Sequence, residues 1–144
     1  MFNFLRKNNI VIYTAIFGGK DNLREPLHKI KNADLICFTD SDITSKYWKV
    51  IQRTPENKDL TRAAKRYKIL GDKILNKYRY TIWIDGRILL KLTDAKVLVQ
   101  KYLKENDIAL FSHPEERDCI YDEFDIIIKY NEKRFYDNPE IMKQ

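Results

Sequence analysis

Apolar residues in this chain fall into short unbroken runs, separated by stretches where they recur every three or four positions. Ile10-Val11-Ile12-Tyr13-Thr14-Ala15-Ile16-Phe17 is the longest run, and it stops at Gly18-Gly19. A continuous β-favouring run of this kind reads as a buried strand. Leu35-Ile36-Cys37-Phe38-Thr39 is a second, ended by Asp40-Ser41-Asp42, and Tyr47 to Gln52 is a short third. Tyr80-Thr81-Ile82-Trp83-Ile84 is a fourth and runs straight into Asp85-Gly86, with Ile88-Leu89-Leu90 extending it beyond the turn. Ile108-Ala109-Leu110-Phe111 is a fifth, ended by Ser112-His113-Pro114.

Helical spacing fills the gaps. Over Leu60 to Leu75, at ~100° per residue, Leu60, Ala63, Ala64, Tyr67, Leu70 and Ile74 share one face. Arg62, Lys65, Arg66 and Lys73 gather on the other, and Asp59 or Thr61 caps the start. Asp94 to Leu103 reads as a second helix. Asp122 to Arg134 is a third, with Phe124, Ile127, Ile128 and Phe135 inward. Asn138-Pro139 opens a further helix that the chain cuts short. Buried strands alternating with helices predict an α/β sandwich with a largely parallel sheet. In such a sheet the polar strand ends, Gly18-Gly19, Thr39-Asp40, Asp85-Gly86 and Ser112-His113, share one edge, and ligands dock in crevices at that edge.

Composition narrows the class. A chain of 144 residues suits one domain with a real core. Its 44% hydrophobic and 33% charged residues describe a soluble globular chain. No apolar run approaches the ~18 residues of a membrane span, and Met1 to Asn9 lacks the features of a signal peptide. Two cysteines, Cys37 and Cys119, make neither a disulfide framework nor a zinc site. A reduced, cytoplasmic setting is the expectation. The net charge of +6 favours anionic partners. Lysine is spread along the whole chain, however, which also describes a solvated surface.

The chemistry sits at the strand ends. A carboxylate is costly to bury unpaired, so Asp85, directly after a buried strand, belongs in a crevice that binds something. A plain Asp-Gly turn would look the same. Phe17-Gly18-Gly19-Lys20-Asp21 stands where a nucleotide-contacting loop belongs, but lacks the spacing of a dinucleotide fingerprint or a P-loop. Arg62, Lys65 and Arg66 would neutralise a diphosphate, because a guanidinium pairs two oxygens at once; a solvated helix face has the same pattern. A basic stripe without a nucleic-acid motif is weak evidence for nucleic-acid binding. His113, beside the acidic cluster Glu115, Glu116, Asp118, Asp122 and Glu123, would supply a metal ligand or a base, and an ordinary surface loop would read alike.

Five blocks then fall into a recognisable order. They are Ile12 to Gly19, Ile36 to Asp40, Arg62 to Lys68, Ile82 to Gly86, and His113-Pro114 with Arg117 to Glu123. From Ile10 to Glu123 the chain resembles the glycosyltransferase-like domain family represented in plants by the turgor-regulation-defect and mucilage-related proteins, and found also in bacteria. The resemblance implies a GT-A-like, Rossmann-type fold and a hexosyltransferase-like transfer from a nucleotide-sugar donor to a glycan or other hydroxyl acceptor. It implies that Thr14, Ala15, Phe17, Gly18 and Asp21 line the base and ribose pocket, with Thr39 and Asp40 nearby, and that Arg62 and Arg66 touch the diphosphate. Asp85 and His113 would be the catalytic and metal-binding pair. GT-A enzymes usually hold Mn²⁺ or Mg²⁺ on an Asp-x-Asp motif. Asp85-Gly86-Arg87 keeps only its first carboxylate, which puts metal dependence in question. GT-A catalytic domains also run well past this length, so the expectation is a single domain over residues 1–144 with an incomplete acceptor half. A non-catalytic nucleotide-sugar- or glycan-binding remnant is the alternative.

Overall fold

The computed structural model describes residues 8–112 and 119–131. It falls into two compact units, one extending to Glu105 and one beginning at Asn106.

The first unit is built on a four-stranded sheet with strand order β3-β2-β1-β4. The strands are β1 (Ile10–Ile16), β2 (Ala33–Thr39), β3 (Lys49–Gln52) and β4 (Tyr80–Trp83). All three pairings are parallel. The register aligns Ile16 with Thr39, Thr39 with Gln52, and Tyr13 with Trp83. The sheet is therefore the α/β, Rossmann-like one that the unbroken apolar runs predict. β1 is buried along its whole length, because both faces of the sheet are covered.

Alternate residues of β1 feed two cores. Val11, Tyr13, Ala15 and Phe17 pack with Ile36, Phe38, Ala63 and Tyr67 under helix α1 (Leu60–Leu70). Ile10, Ile12 and Ile16 pack with Leu35, Cys37, Trp48, Leu90 and Ala95 on the other face. Tyr67 anchors the first core, with ring centroids 5.5 Å from Phe17 and 4.8 Å from Phe38. Aromatic pairs at such spacing add roughly 0.5–1.5 kcal/mol each beyond their buried area.

Several expected elements differ. The helix expected over Leu60 to Leu75 ends at Leu70, because Gly71 takes a left-handed φ of 67° and its N–H closes onto the Tyr67 carbonyl at 3.0 Å. Asp72 then starts a short 3₁₀ turn, Lys73–Lys77. The break takes Leu70 off the packed face, where it is 72% exposed, while Ile74 still packs into the core from the 3₁₀ turn. Ile88 to Leu90 does not extend β4. It turns back, so that the Leu27 N–H donates to the Leu90 carbonyl at 3.0 Å and Leu90 is buried. The second expected helix is α-helical only over α2 (Lys96–Leu98) and continues as a π-helical turn, Val99–Leu103.

In the second unit Ile108 to Phe111 is not a strand. Ile108, Leu110 and Phe111 are 71%, 84% and 81% exposed, and no ladder pairs them among the described residues. β-favouring composition makes a strand only where a neighbour supplies the ladder. Helix α3 (Ile120–Asn131) matches the last expected helix up to Asn131, with Phe124, Ile127 and Ile128 half-buried. His113, Glu115, Glu116, Asp118, Phe135 and Asn138-Pro139 lie outside the described residues.

Candidate functional site

Three strands deliver polar residues to one edge of the sheet. After Phe17, β1 runs into Gly18 and Gly19, with φ of 64° and 60°. Side chains rarely tolerate that backbone. At Gly18 a Cβ would also collide with the Leu60 side chain at the start of α1. β2 hands on from Thr39 to Asp40. The Gly18 N–H donates to both oxygens of the Asp40 carboxylate, at 2.9 and 3.2 Å.

β4 reaches the edge at Asp85, which is exposed. The Trp83 indole N–H donates to its Oδ1 at 3.2 Å, and the Ile88 N–H closes the turn onto its carbonyl at 2.9 Å. Gly86 is buried in that turn. A Cβ there would come within 2.7 Å of two Ile16 side-chain carbons and 3.4 Å of the Asp21 Cβ. The Asp85 turn therefore lies against the end of β1, with Asp21 beside it. Gly18, Thr39-Asp40 and Asp85 share the edge that the parallel pattern predicts.

The start of α1 closes the same region. Asp59 caps it, accepting from the Thr61 and Arg62 N–H groups at 2.9 and 3.3 Å. Lys20 Nζ donates to Thr61 Oγ1 at 2.7 Å, tying the loop after β1 to the first turn of the helix. A helix N-terminus beside a lysine is a favourable environment for an anion. Arg62 stands 3.6 Å from Asp59, and Arg66 stands 2.8 Å from Glu56. A diphosphate would have to compete with Glu56 for Arg66.

Four of the residues expected to line the pocket have buried side chains instead. Thr14 and Thr39 are fully buried, and Ala15 and Phe17 are in the core. Thr39 Oγ1 accepts from the Ser41 N–H at 3.1 Å, while Thr14 Oγ1 has no partner among the described residues. The side chains that reach the surface at this edge begin one residue later, at Asp40, and beyond Gly18.

A residue not anticipated from sequence completes the edge. Arg53 follows β3 directly, and its backbone N–H donates to the Thr39 carbonyl at 2.8 Å. Its Nε donates to Asp72 Oδ2 at 3.0 Å and its Nη1 to the Gln52 carbonyl at 3.1 Å. The guanidinium lies 5.8 Å from the Phe38 ring centroid. Burial raises the Asp72 carboxyl, but the Arg53 and Ile74 hydrogen bonds and the nearby positive charge outweigh it and hold it below its ordinary value. Asp40, Gln52, Arg53, Thr54 and Pro55 line a cleft of about 250 Å³. A larger cleft, of about 480 Å³, opens at the opposite edge beside Asn9, Ile10, Asn32 and Tyr80. Those residues stand at the amino ends of the strands, so the smaller cleft is the one that belongs to the site.

The donor set does not form a metal cage. No group of three His, Cys, Asp or Glu side chains comes together among the described residues. Gly86, next to Asp85, lies against Asp21, and Arg87 follows in the same turn. A Mg²⁺ ion here would have to take most of its ligands from substrate phosphates and water.

The family model for the TOD1/MUCI70 glycosyltransferase-like domain matches residues 39–144. The chain belongs to this family. No curated protein and no solved structure matches it. The TOD1/MUCI70 match takes in Asp40, Arg53, α1 and Asp85, and begins after β1 and the Gly18-Gly19 turn. No helix among the described residues is long and apolar enough to cross a membrane.

Proposed function

We propose that this chain is a glycosyltransferase domain of GT-A type, which binds a nucleotide-diphosphate sugar along the carboxyl edge of its sheet and passes the sugar to a hydroxyl acceptor. The observation that carries this reading is the convergence of Gly18, Asp40 and Asp85 on one edge. They meet where the strand order reverses, with β2 on one side of β1 and β4 on the other. Crevices at such reversals are where open α/β sheets take nucleotides. Membership of a glycosyltransferase-like family supports a sugar donor as the ligand.

In this reading the ribose lies at the β1–β4 crevice, between Asp21 and Asp85. The nucleobase lies toward Asp40, and the diphosphate faces Lys20 and the first turn of α1, with Arg62 and Arg66 beside it. Negative charge builds on the diphosphate as the glycosyl bond breaks, and positive groups already fixed in place stabilise it without reorganising. The buried Thr14, Ala15, Phe17 and Thr39 keep that edge rigid. Asp85 accepts from a ribose hydroxyl. A divalent cation bound with the diphosphate would stabilise the same charge.

A non-catalytic nucleotide-sugar- or glycan-binding domain is the second reading, and Arg87 in place of a second carboxylate favours it. Turnover separates the two. Incubating the intact protein with nucleotide-sugars should give saturable binding and slow release of nucleoside diphosphate. Binding without release would favour the second reading, and the absence of both would remove the first.

A further inference from the structure

We infer that the outer face of α1, with the turn that follows it, is a docking surface for an anionic lipid bilayer. The inference goes beyond the sugar-transfer reading and does not rest on it.

Charge is the first observation. Between Leu60 and Arg79 stand seven lysine and arginine residues against one acid, Asp72. The rest of the chain balances, with 20 of the 27 basic residues against 20 of the 21 acidic ones. The whole net charge of +6 therefore belongs to this one stretch. Asp72 offsets little of it, because Arg53 already pairs with that carboxylate at 3.0 Å. Lys65, Lys68 and Lys73 are exposed and make no ion pair among the described residues. A patch of one sign draws partners of the other.

Apolar exposure at the same place is the second observation. A helix packed on a sheet needs one apolar stripe, and α1 has it in the buried Ala63 and Tyr67. Ile69 follows Tyr67 by two positions, about 200° around the helix, so it faces away from the sheet. It is 77% exposed, and Leu70 beside it is 72% exposed. Lys65 lies one turn before Ile69 on the same face, Lys68 adjoins it, and Lys73 follows Leu70 beyond the Gly71 cap. Two branched aliphatic side chains thus stand among lysines.

That combination suits a bilayer. Ammonium groups settle among anionic headgroups while their stems lie along the interface. The aliphatic pair enters the boundary with the acyl chains and adds a contact that salt does not screen. A nucleic acid would use the cations but gain nothing from the aliphatic pair. Single strands also want exposed aromatic platforms, and the tyrosines of this stretch, Tyr67 and Tyr78, are buried. Ile69 and Leu70 stand at the opposite end of α1 from the first turn, which faces the candidate site.

The test is co-sedimentation of the intact protein with phosphatidylcholine vesicles, plain or mixed with phosphatidylglycerol. The mixed vesicles should bind about tenfold or more tightly than the plain ones, and less so as salt rises. Lys68→Gln with Lys73→Gln should weaken that binding about tenfold or more, from about fivefold per lysine. Ile69→Ser with Leu70→Ser should weaken it about tenfold through lost apolar contact. Both double variants should unfold in urea close to the natural chain, because all four side chains are exposed. No binding to the mixed vesicles, or equal binding to both kinds, overturns the inference. So does undiminished binding in either folded double variant. Binding of an arbitrary oligonucleotide without binding of vesicles also overturns it, and gives the face to nucleic acid.

Discussion

Asp40 receives the Gly18 N–H on both carboxylate oxygens, at 2.9 and 3.2 Å, and so ties the end of β2 to the turn that follows β1. The two residues are far apart in sequence and come together because parallel pairing sets Ile16 beside Thr39. A left-handed glycine turn beneath a fixed carboxylate is the centre of the candidate site.

That turn should be intolerant at one glycine and lenient at the next. Gly18→Ala adds a Cβ to a left-handed backbone and drives it into Leu60. The expected cost is about 2–3 kcal/mol, the backbone penalty and the overpacking together. Gly19→Ala carries the same backbone penalty, but a Cβ there meets nothing within 4 Å, so the expected cost is about 1 kcal/mol. Urea unfolding of the two variants would measure the difference, and equal losses would place Leu60 elsewhere.

Asp85→Asn should leave the fold intact and weaken the site. Asp85 is exposed and accepts a hydrogen bond from the Trp83 indole, so stability should fall by no more than about 1 kcal/mol. Donor binding or turnover should drop. If the carboxylate ligates a cation, the loss appears as lost Mn²⁺ dependence, and Arg87→Asp in the otherwise natural chain strengthens metal binding. If it holds a ribose hydroxyl, the loss appears without metal and Arg87→Asp brings no metal response.

Acid should loosen the strap between β3 and the end of α1. Asp72 is held below its ordinary value in the folded protein, so its contribution to stability is present above the unfolded carboxyl value of about 3.9. It is lost as pH falls through the lower folded value. Asp72→Asn should cost about 1–2 kcal/mol at neutral pH, from the Arg53 pair and the Ile74 cap, and should flatten the stability profile below about pH 4. An unchanged acid limb would assign it to other carboxylates.

Alkali should act through the buried core. Burial pushes the Cys37 thiol up to about 12. The unfolded thiol ionises near pH 8.5, so this contribution is complete below about pH 8.5 and is lost as pH rises toward the folded value. Burial and Asp34 raise the Tyr78 hydroxyl in the same direction. Cys37→Ala should flatten the alkaline limb, seen by denaturant titration at several pH values. A thiol reagent should modify the half-buried Cys119 well before Cys37.

Much of the sheet is legible in the sequence, because a strand buried on both faces needs an unbroken apolar run and few other structures do. β1, β2 and β4 sit where those runs are, and β3 falls within the short strand expected over Tyr47 to Gln52. The glycine turn and Asp85 are legible too, since polar residues directly after such runs reach the same edge of a parallel sheet. The pocket lining is less so. The family resemblance places Thr14 and Thr39 at the pocket, but a strand covered on both sides buries every side chain before its end. Arg53 escapes notice because Lys49 to Gln52 is a weak, half-exposed strand, and its partner Asp72 lies beyond a helix. Periodicity carries Leu60 to Leu75 straight through Gly71, because spacing alone does not record a left-handed residue. Ile108 to Phe111 fails for the opposite reason: its composition suits a strand, and no ladder receives it among the described residues.

The central claim is that the Gly18–Asp40–Asp85 edge binds a nucleotide-diphosphate sugar. Calorimetric titration of the intact protein with UDP- and GDP-sugars, beside Asp85→Asn, tests it most directly. Saturable binding to one site is expected, weakened in Asp85→Asn while the melting temperature of the free protein stays within a few degrees. No heat of binding with any nucleotide-sugar would contradict it. So would equal affinity in a folded Asp85→Asn, or binding seen only with arbitrary oligonucleotides and falling steeply with salt.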